Sequence, residues 1–167
     1  GRLSDVQRRR RILREIVVSL GASEAMPNPF LAPGDLAKVG LSEDNALKLA
    51  NPLVVEESVL RTSLVPGMLK SIAYNQSHRI RDISLFEIGH VYPQGTEVLP
   101  DEYESLCIMV AGADASVAMD LWSQVSSALG VGAQLSQDQA PAGYHATRSA
   151  QLKRGKMVLG SVGEIDP

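Results

Sequence analysis

Arg61 stands between Leu60 and Thr62, and Glu87 stands between Phe86 and Ile88. A lone charge in apolar surroundings needs a partner, because an unpaired buried charge is very costly. Two readings follow: a core with a satisfied ion pair, or a site for an anionic ligand. Residue types alone favour the first, and they predict that Arg61 pairs with Glu56 or Glu87. Glu56 and Glu57 with Glu87 could instead make a carboxylate pair. They fit better as partners for Arg61 and for Arg79 or Arg81. The other reactive side chains form no constellation. His78, His90 and His145 lack metal-ligand spacing and have no cysteine cluster beside them. Ser63 has no assignable base. Cys107 sits in the apolar run Leu106–Val110, where an inert core thiol is the expectation. Neither G-x-x-x-x-G-K-[ST] nor G-x-G-x-x-G occurs, and Gly160–Gly163 is too short for a phosphate loop.

The elements that must position Arg61 and Glu87 lie between Asn51 and Tyr92. Asn51-Pro52 forces extended backbone, since the residue before proline is pushed out of the helical region. Pro66 suits the first position of a helix, where its missing N–H costs nothing. Met68, Leu69, Ile72 and Ala73 then stripe one face, and the helix ends near Ser77. His78, Arg79 and Arg81 cluster at that end, where the helix dipole is the simplest account of them. Residues 83–92 read as a strand with Glu87 embedded.

Upstream, Ser4-Asp5-Val6-Gln7 has capping-box spacing, and Val6, Leu13, Val17 and Leu20 share one face of a helix over residues 5–20, stopped by Gly21. Arg8, Arg9, Arg10, Arg11 and Arg14 make its first half basic. Four successive helical residues span about 300° around the axis, so these arginines cannot share one face. A solvated face is the simplest reading; phosphate contact and an acidic partner chain are the alternatives. Residues 21–40 read as loop, broken by Pro27, Pro29 and Pro33-Gly34, with a short strand within Met26–Leu31. Residues 46–50 are a short element of either type. Pro93-Gln94-Gly95 is a turn, and the chain stays polar to Asp101. Downstream, residues 104–111 read as a strand buried on both faces, and 116–130 as a helix capped by Asp114 or Ser116. Residues 143–147 read as loop, followed by a hairpin turning at Arg154-Gly155. The order predicts an α+β fold, a mixed sheet with helices beside it.

Composition narrows the class. A chain of 167 residues can bury roughly 70% of its unfolded surface, so it needs no metal or disulfide to fold. Aromatic residues are only 4%, so Leu, Val, Ile and Met must build the core. A net charge of −3 gives no general attraction to nucleic acid. One cysteine excludes an internal disulfide and fits a reducing compartment, which makes the cytoplasm the expected location. No apolar run reaches the length of a membrane helix. The start on a helix cap without Met, and the end just after a strand, read as a piece of a longer protein.

Several segments together resemble the beta chain of bacterial phenylalanyl-tRNA synthetase, in its class II synthetase-like core domain. They are Asn51-Pro52-Leu53, Glu56, Ser58, Leu60 to Leu69 (Leu-Arg-Thr-Ser-Leu-Val-Pro-Gly-Met-Leu), Asn75, and Leu85-Phe86-Glu87-Ile88-Gly89. The flanks are similar too: Leu3-Ser4, Gln7, the arginine run and Leu20-Gly21-Ala22-Ser23-Glu24 at one end, then Tyr144-His145, Arg148-Ser149-Ala150 and Gly160 to Pro167 at the other. Ala146-Thr147 departs from the family's usual Pro-Gly, and 93–139 is compact and divergent. The resemblance implies one class II-like core domain over 1–167, with a mainly antiparallel mixed sheet, a first part over 1–95 and a second over 100–167.

It also implies a role. The whole enzyme is an (αβ)₂ assembly that joins phenylalanine to tRNA(Phe) in the cytoplasm with ATP and Mg²⁺, and its catalysis resides in the alpha chain. The beta core is a degenerate copy that packs against alpha. A working class II second motif needs an arginine on ATP's α-phosphate, because a planar fork suits phosphate oxygens. In Gly89-His90-Val91-Tyr92-Pro93 that position is Pro93, which supplies neither charge nor donor. The expectation is therefore a scaffold with no catalytic, cofactor or metal residue of its own. Leu13, Val17, Leu64 and Met68 are the expected subunit-interface residues, and Arg8 to Arg11 are candidates for RNA contact. Two alternatives stand beside it: a free-standing paralogue binding a nucleotide or amino acid through Arg61 or Arg148, and an RNA-binding module using the basic first helix.

Overall fold

The computed structural model describes residues 2–95 and 99–166. The polar stretch expected to run up to Asp101 lies partly outside them. The chain divides into two compact units, one of Gly1–Gly21 with Gly112–Pro167 and one of Ala22–Ala111.

Helix α1 covers Asp5–Ser19 and opens with both bonds of the capping box. The Gln7 N–H donates to Ser4 Oγ at 3.2 Å, and the Ser4 N–H donates to Gln7 Oε1 at 2.9 Å. Such a cap contributes about 1 kcal/mol. The helix stops at Leu20, and Gly21 follows with a φ of 88°. Val17 on the apolar face is fully buried.

The unit Ala22–Ala111 holds β1 (Ser23–Glu24), β2 (Phe30–Leu31), α2 (Asp35–Lys38), a 3₁₀ turn (Val55–Glu57), β3 (Val59–Leu60), α3 (Val65–Ser77), β4 (Ser84–Val91) and β5 (Tyr103–Val110). β4 is central, between β1 and β5. β1 runs parallel to it, Ser23 opposite Leu85, and β5 antiparallel, Ser84 opposite Val110 and Val91 opposite Tyr103. A parallel pair needs a long crossover, and here that crossover carries β2, β3 and α3. β2 and β3 make their own antiparallel pair, Phe30 opposite Leu60. Leu64, Met68 and Ile72 pack on Ile83, Val91 and Met109 as the main core, while Leu31, Leu36, Ala46 and Val59 form a second one. The Pro-Gly at the start of α3 has two reasons. Pro66 sits in the first turn, where no N–H is needed, and a Cβ on Gly67 would meet the Pro27 ring at 3.0 Å.

The second unit completes with α4 (Ala115–Leu129), β6 (Gln134–Ser136), β7 (Tyr144–Arg154) and β8 (Met157–Ile165). Asp114 caps α4 by accepting from the Ser116 N–H at 2.9 Å, and Gly130 ends it in the left-handed conformation. The three strands form an antiparallel sheet in chain order, with the hairpin turning at Gly155. Ala118, Met119 and Trp122 pack on Ala150, Leu152 and Val162.

Three expectations are corrected. β5 was expected to be buried on both faces, yet Met109 is its one buried residue; β5 is an edge strand, paired only with β4 among the described residues. Residues 144–147, expected as loop, open β7 through an irregular register between Tyr144 and Ser149. Residues 21–40 contain β1 and α2, elements too short for periodicity to register.

Candidate functional site

Arg61 follows β3 and is fixed through its backbone. Its N–H donates to the Pro29 carbonyl at 3.1 Å, and its own carbonyl accepts from the Tyr92 N–H at 2.9 Å. The side chain turns inward and is 8% exposed. Nε donates to the His90 carbonyl at 2.8 Å, and Nη1 lies 2.7 Å from Glu87 Oε1. Glu87 itself is 5% exposed, so both partners are out of water. A strand alternates its faces, so Glu87 shares a face of β4 with Leu85 and Val91, which pack into the core beneath α3.

Gly89, two residues on, shares that face, and its missing side chain makes the room. A Cβ there would lie 2.4 Å from Arg61 Nη2 and 2.5 Å from Glu87 Oε1. The guanidinium therefore occupies the space that any other residue at 89 would fill. The charges balance, but the hydrogen bonding is not saturated. Glu87 Oε2 is buried without a hydrogen-bond partner. Burial pushes the Glu87 carboxyl above its ordinary value, outweighing the opposite pull of Arg61. Directly across the ladder, burial and then the Glu87 charge push the Cys107 thiol up to about 12. That thiol is no nucleophile at neutral pH.

The structure brings Arg61 and Glu87 together and leaves Glu56 out. Glu56 is exposed on the 3₁₀ turn, and its neighbour Glu57 accepts from Asn28 Nδ2 at 3.0 Å. Arg79 and Arg81 are exposed and pair with no carboxylate among the described residues. Of the expected interface set, three residues are turned into the chain's own interior and Leu13 is not. Leu64 and Met68 are 3% and 0% exposed inside the main core, Val17 is fully buried, and Leu13 is half-buried. Side chains in the chain's own core cannot present themselves to another subunit. On α1 the exposed apolar residues are Val6, Ile12 and Val18. Of the arginine run, Arg8 lies 3.5 Å from Asp5 and Arg11 2.9 Å from Glu15, and Arg9 is exposed.

A second charged centre escaped the sequence reading. Asp35, on α2, is 3% exposed. It accepts from the Ala32 N–H at 2.9 Å and from Lys38 at 3.0 Å, and it bonds Lys70 of α3. Burial alone would raise this carboxyl, but the hydrogen bonds from Lys70, Lys38 and Ala32 hold it below its ordinary value. Lys70 lies 35 residues away, a separation at which no local pattern signals a pair. In the other unit Glu164 bridges Arg148, on β7, and the Ala115 N–H that opens α4.

Chemically this is an ion-paired core. A phosphate ligand would need an open guanidinium fork, and Arg61 has both Nε and Nη1 engaged internally. Pro93, beyond β4, has no N–H to offer. These residues do not fit ATP. No group of three or more His, Cys, Asp or Glu residues is placed to hold a metal among the described residues.

The model for the phenylalanyl-tRNA synthetase beta chain CLM domain matches residues 1–167. The chain belongs to that family. Curated relatives agree with the family assignment. The phenylalanine–tRNA ligase beta subunit of Geobacter sulfurreducens is 33% identical over 96% of this chain, and that of Geobacillus kaustophilus is 30% identical over 100% of it. The chain spans only 22% and 23% of their lengths. Among solved structures, a pyrrolysyl-tRNA synthetase from Desulfitobacterium hafniense aligns with a TM-score of 0.72, covering 94% of this chain and 55% of that one, at 17% identity. That likeness concerns the fold alone. It is the class II synthetase-like α+β fold expected of the beta-chain family. No helix of the described residues is long and apolar enough to cross a membrane.

Proposed function

We propose that this chain is a non-catalytic scaffold in the beta subunit of phenylalanine–tRNA ligase. It supports a catalytic alpha subunit within an (αβ)₂ assembly that charges tRNA(Phe) in the cytoplasm. The whole enzyme uses ATP and Mg²⁺, and in this reading both act on the alpha subunit.

One observation supports the reading above the others. Arg61, buried in the unit Ala22–Ala111, is held by Glu87 and the His90 carbonyl against Gly89. A guanidinium whose Nε and Nη1 are both engaged internally is committed to packing, and Pro93 supplies no charge in its place. The exposed cationic side chains of α1, Arg8, Arg9 and Arg11, are what this helix offers to a partner chain; its exposed Val6, Ile12 and Val18 lie about 120° apart around the axis and make no single apolar face.

The test is phenylalanine-dependent ATP–pyrophosphate exchange. The chain by itself gives none, and addition of the alpha subunit gives a co-sedimenting complex. Robust exchange by this chain that disappears in Arg61→Ala would overturn the scaffold reading. So would micromolar ATP or phenylalanine binding to this chain in calorimetry.

A further inference from the structure

Helix α3 ends in a way that the other helices of the described residues do not. Its last turn closes as a Schellman motif: the Ile80 N–H donates to the Asn75 carbonyl at 3.1 Å and the Arg79 N–H to the Gln76 carbonyl at 2.9 Å. The residue at the turning point must take a positive φ, and glycine is the usual choice because it has no Cβ. After α1, α2 and α4 the chain uses Gly21, Gly40 and Gly130 at positive φ. After α3 it uses Arg79, with a φ of 65°, the one non-glycine residue in that region of backbone space among the described residues. A side chain kept where glycine would be less strained points to a use for the side chain.

Helix capping is not that use. The carbonyls of Tyr74, Asn75 and Gln76 already receive backbone N–H donors from residues 78–80, and the Ser77 hydroxyl also donates to Tyr74. Nor is an internal ion pair, since neither Arg79 nor Arg81 has a carboxylate partner among the described residues. What surrounds them is open. Tyr74 is 66% exposed, with its ring centroid 4.3 Å from that of His78 at a 39° tilt. His78, Arg79 and Arg81 are all exposed, and α3 carries no acidic residue of its own. Asp82 is the single acid nearby in sequence.

The geometry points to a single-stranded RNA contact at the C-terminal end of α3. Arg79 and Arg81 take backbone phosphates, and the exposed Tyr74–His78 face stacks a base. Unpaired guanidiniums beside an open aromatic ring are the pairing that flexible RNA recognises, phosphate by charge and base by stacking. Protein interfaces also use Tyr and Arg, but they close over a charge-depleted apolar centre, and here Ile80 is the one large aliphatic side chain exposed among the described residues 74–81. This contact is separate from the basic half of α1 and goes beyond the scaffold reading, which gives this chain no RNA contact of its own.

The full-length beta subunit is irradiated with a 4-thiouridine-substituted tRNA(Phe) transcript, and cross-linked peptides are mapped by mass spectrometry. A cross-link within residues 74–81 is expected. Arg79→Gly with Arg81→Gln cuts its yield at least fivefold, and Tyr74→Leu does the same. The salt slope of transcript binding falls by about 0.7 for each phosphate contact removed. Arg79→Gly suits the backbone better than arginine does, so circular dichroism of that variant stays native. Absence of any cross-link in 74–81 overturns the inference, as does a yield unchanged in the double variant. Unchanged RNA binding with weakened alpha-subunit association in sedimentation also overturns it, and assigns the patch to protein contact. The scaffold reading fails on a different observable, alpha-subunit association of the unaltered protein, so the two failures are distinguishable.

Discussion

Two buried carboxylates in the same unit resolve the same problem in opposite directions. Asp35 and Glu87 are 3% and 4% exposed. Asp35 has three donors shared over both oxygens, two of them lysines whose own side chains remain largely in water. Glu87 has one partner, itself buried, and one oxygen with none. The first carboxyl is held below its ordinary value and the second is pushed above it. The difference lies in the donors rather than in depth. A buried acid stays comfortably charged when hydrogen bonds saturate it and its counter-ions keep their hydration. A pair that buries both members carries two desolvation penalties, which attraction repays only with full hydrogen bonding.

The largest test of this contrast removes the arginine. Arg61→Met strands Glu87 and should destabilise the unit by about 3–5 kcal/mol, read as a lowered urea midpoint. Arg61→Met combined with Glu87→Leu should recover much of that loss. A double variant no better than the single one would mean that the pair is net stabilising. Next comes Gly89→Ala, whose added methyl displaces the pair from its seat. About 1–3 kcal/mol is expected for such overpacking, and a neutral result would show that the guanidinium can move aside.

Acid titration separates the two carboxyls by sign. Asp35 has a depressed folded-state value, so its contribution is present above its unfolded value near 3.8 and is lost as pH falls through the folded one. The stability difference between wild type and Asp35→Asn, about 1–3 kcal/mol at neutral pH, should therefore shrink below pH ~3.8. Glu87 has a raised folded-state value, so its contribution is full below about 4.5 and is lost as pH rises through the folded one. Wild type should gain on Glu87→Gln as pH is lowered from neutral toward 4.5. Parallel slopes for the two variants would contradict the contrast. The smallest effect belongs to Lys38→Ala. Its side chain is 74% exposed, so about 0.5 kcal/mol or less is expected in thermal unfolding.

How much of this was legible in the sequence differs residue by residue. Glu87 announces itself, because a single charge flanked by apolar residues on a strand has nowhere polar to go, and Arg61, just past β3, is the lone cation of the same apolar stretch. Gly89 was a weaker signal, readable only once its face of the strand is shared with a buried pair. Asp35 was invisible. It follows Pro33-Gly34 in a stretch that reads as loop, and its partner Lys70 is set by the packing of α2 against α3. The long helices were recovered nearly to the residue because caps such as Ser4 and Asp114 act locally. β1 was missed since two residues have no periodicity, and its parallel pairing depends on the whole crossover that follows. The apolar run of β5 was over-read: a one-dimensional pattern records which residues are apolar, not how many neighbours a strand will have.

The packing of Trp122 on the sheet of β6, β7 and β8 has an optical consequence. It is the single tryptophan of the chain and belongs to the unit of Gly1–Gly21 with Gly112–Pro167, whereas Arg61, Glu87 and Asp35 all belong to the other. Indole fluorescence thus watches one unit while the core substitutions above perturb its neighbour, and far-ultraviolet ellipticity averages both. In Arg61→Met, coincident fluorescence and ellipticity transitions would mark a single cooperative block. An ellipticity change that precedes the fluorescence change would mark a boundary at which the unit Ala22–Ala111 melts alone.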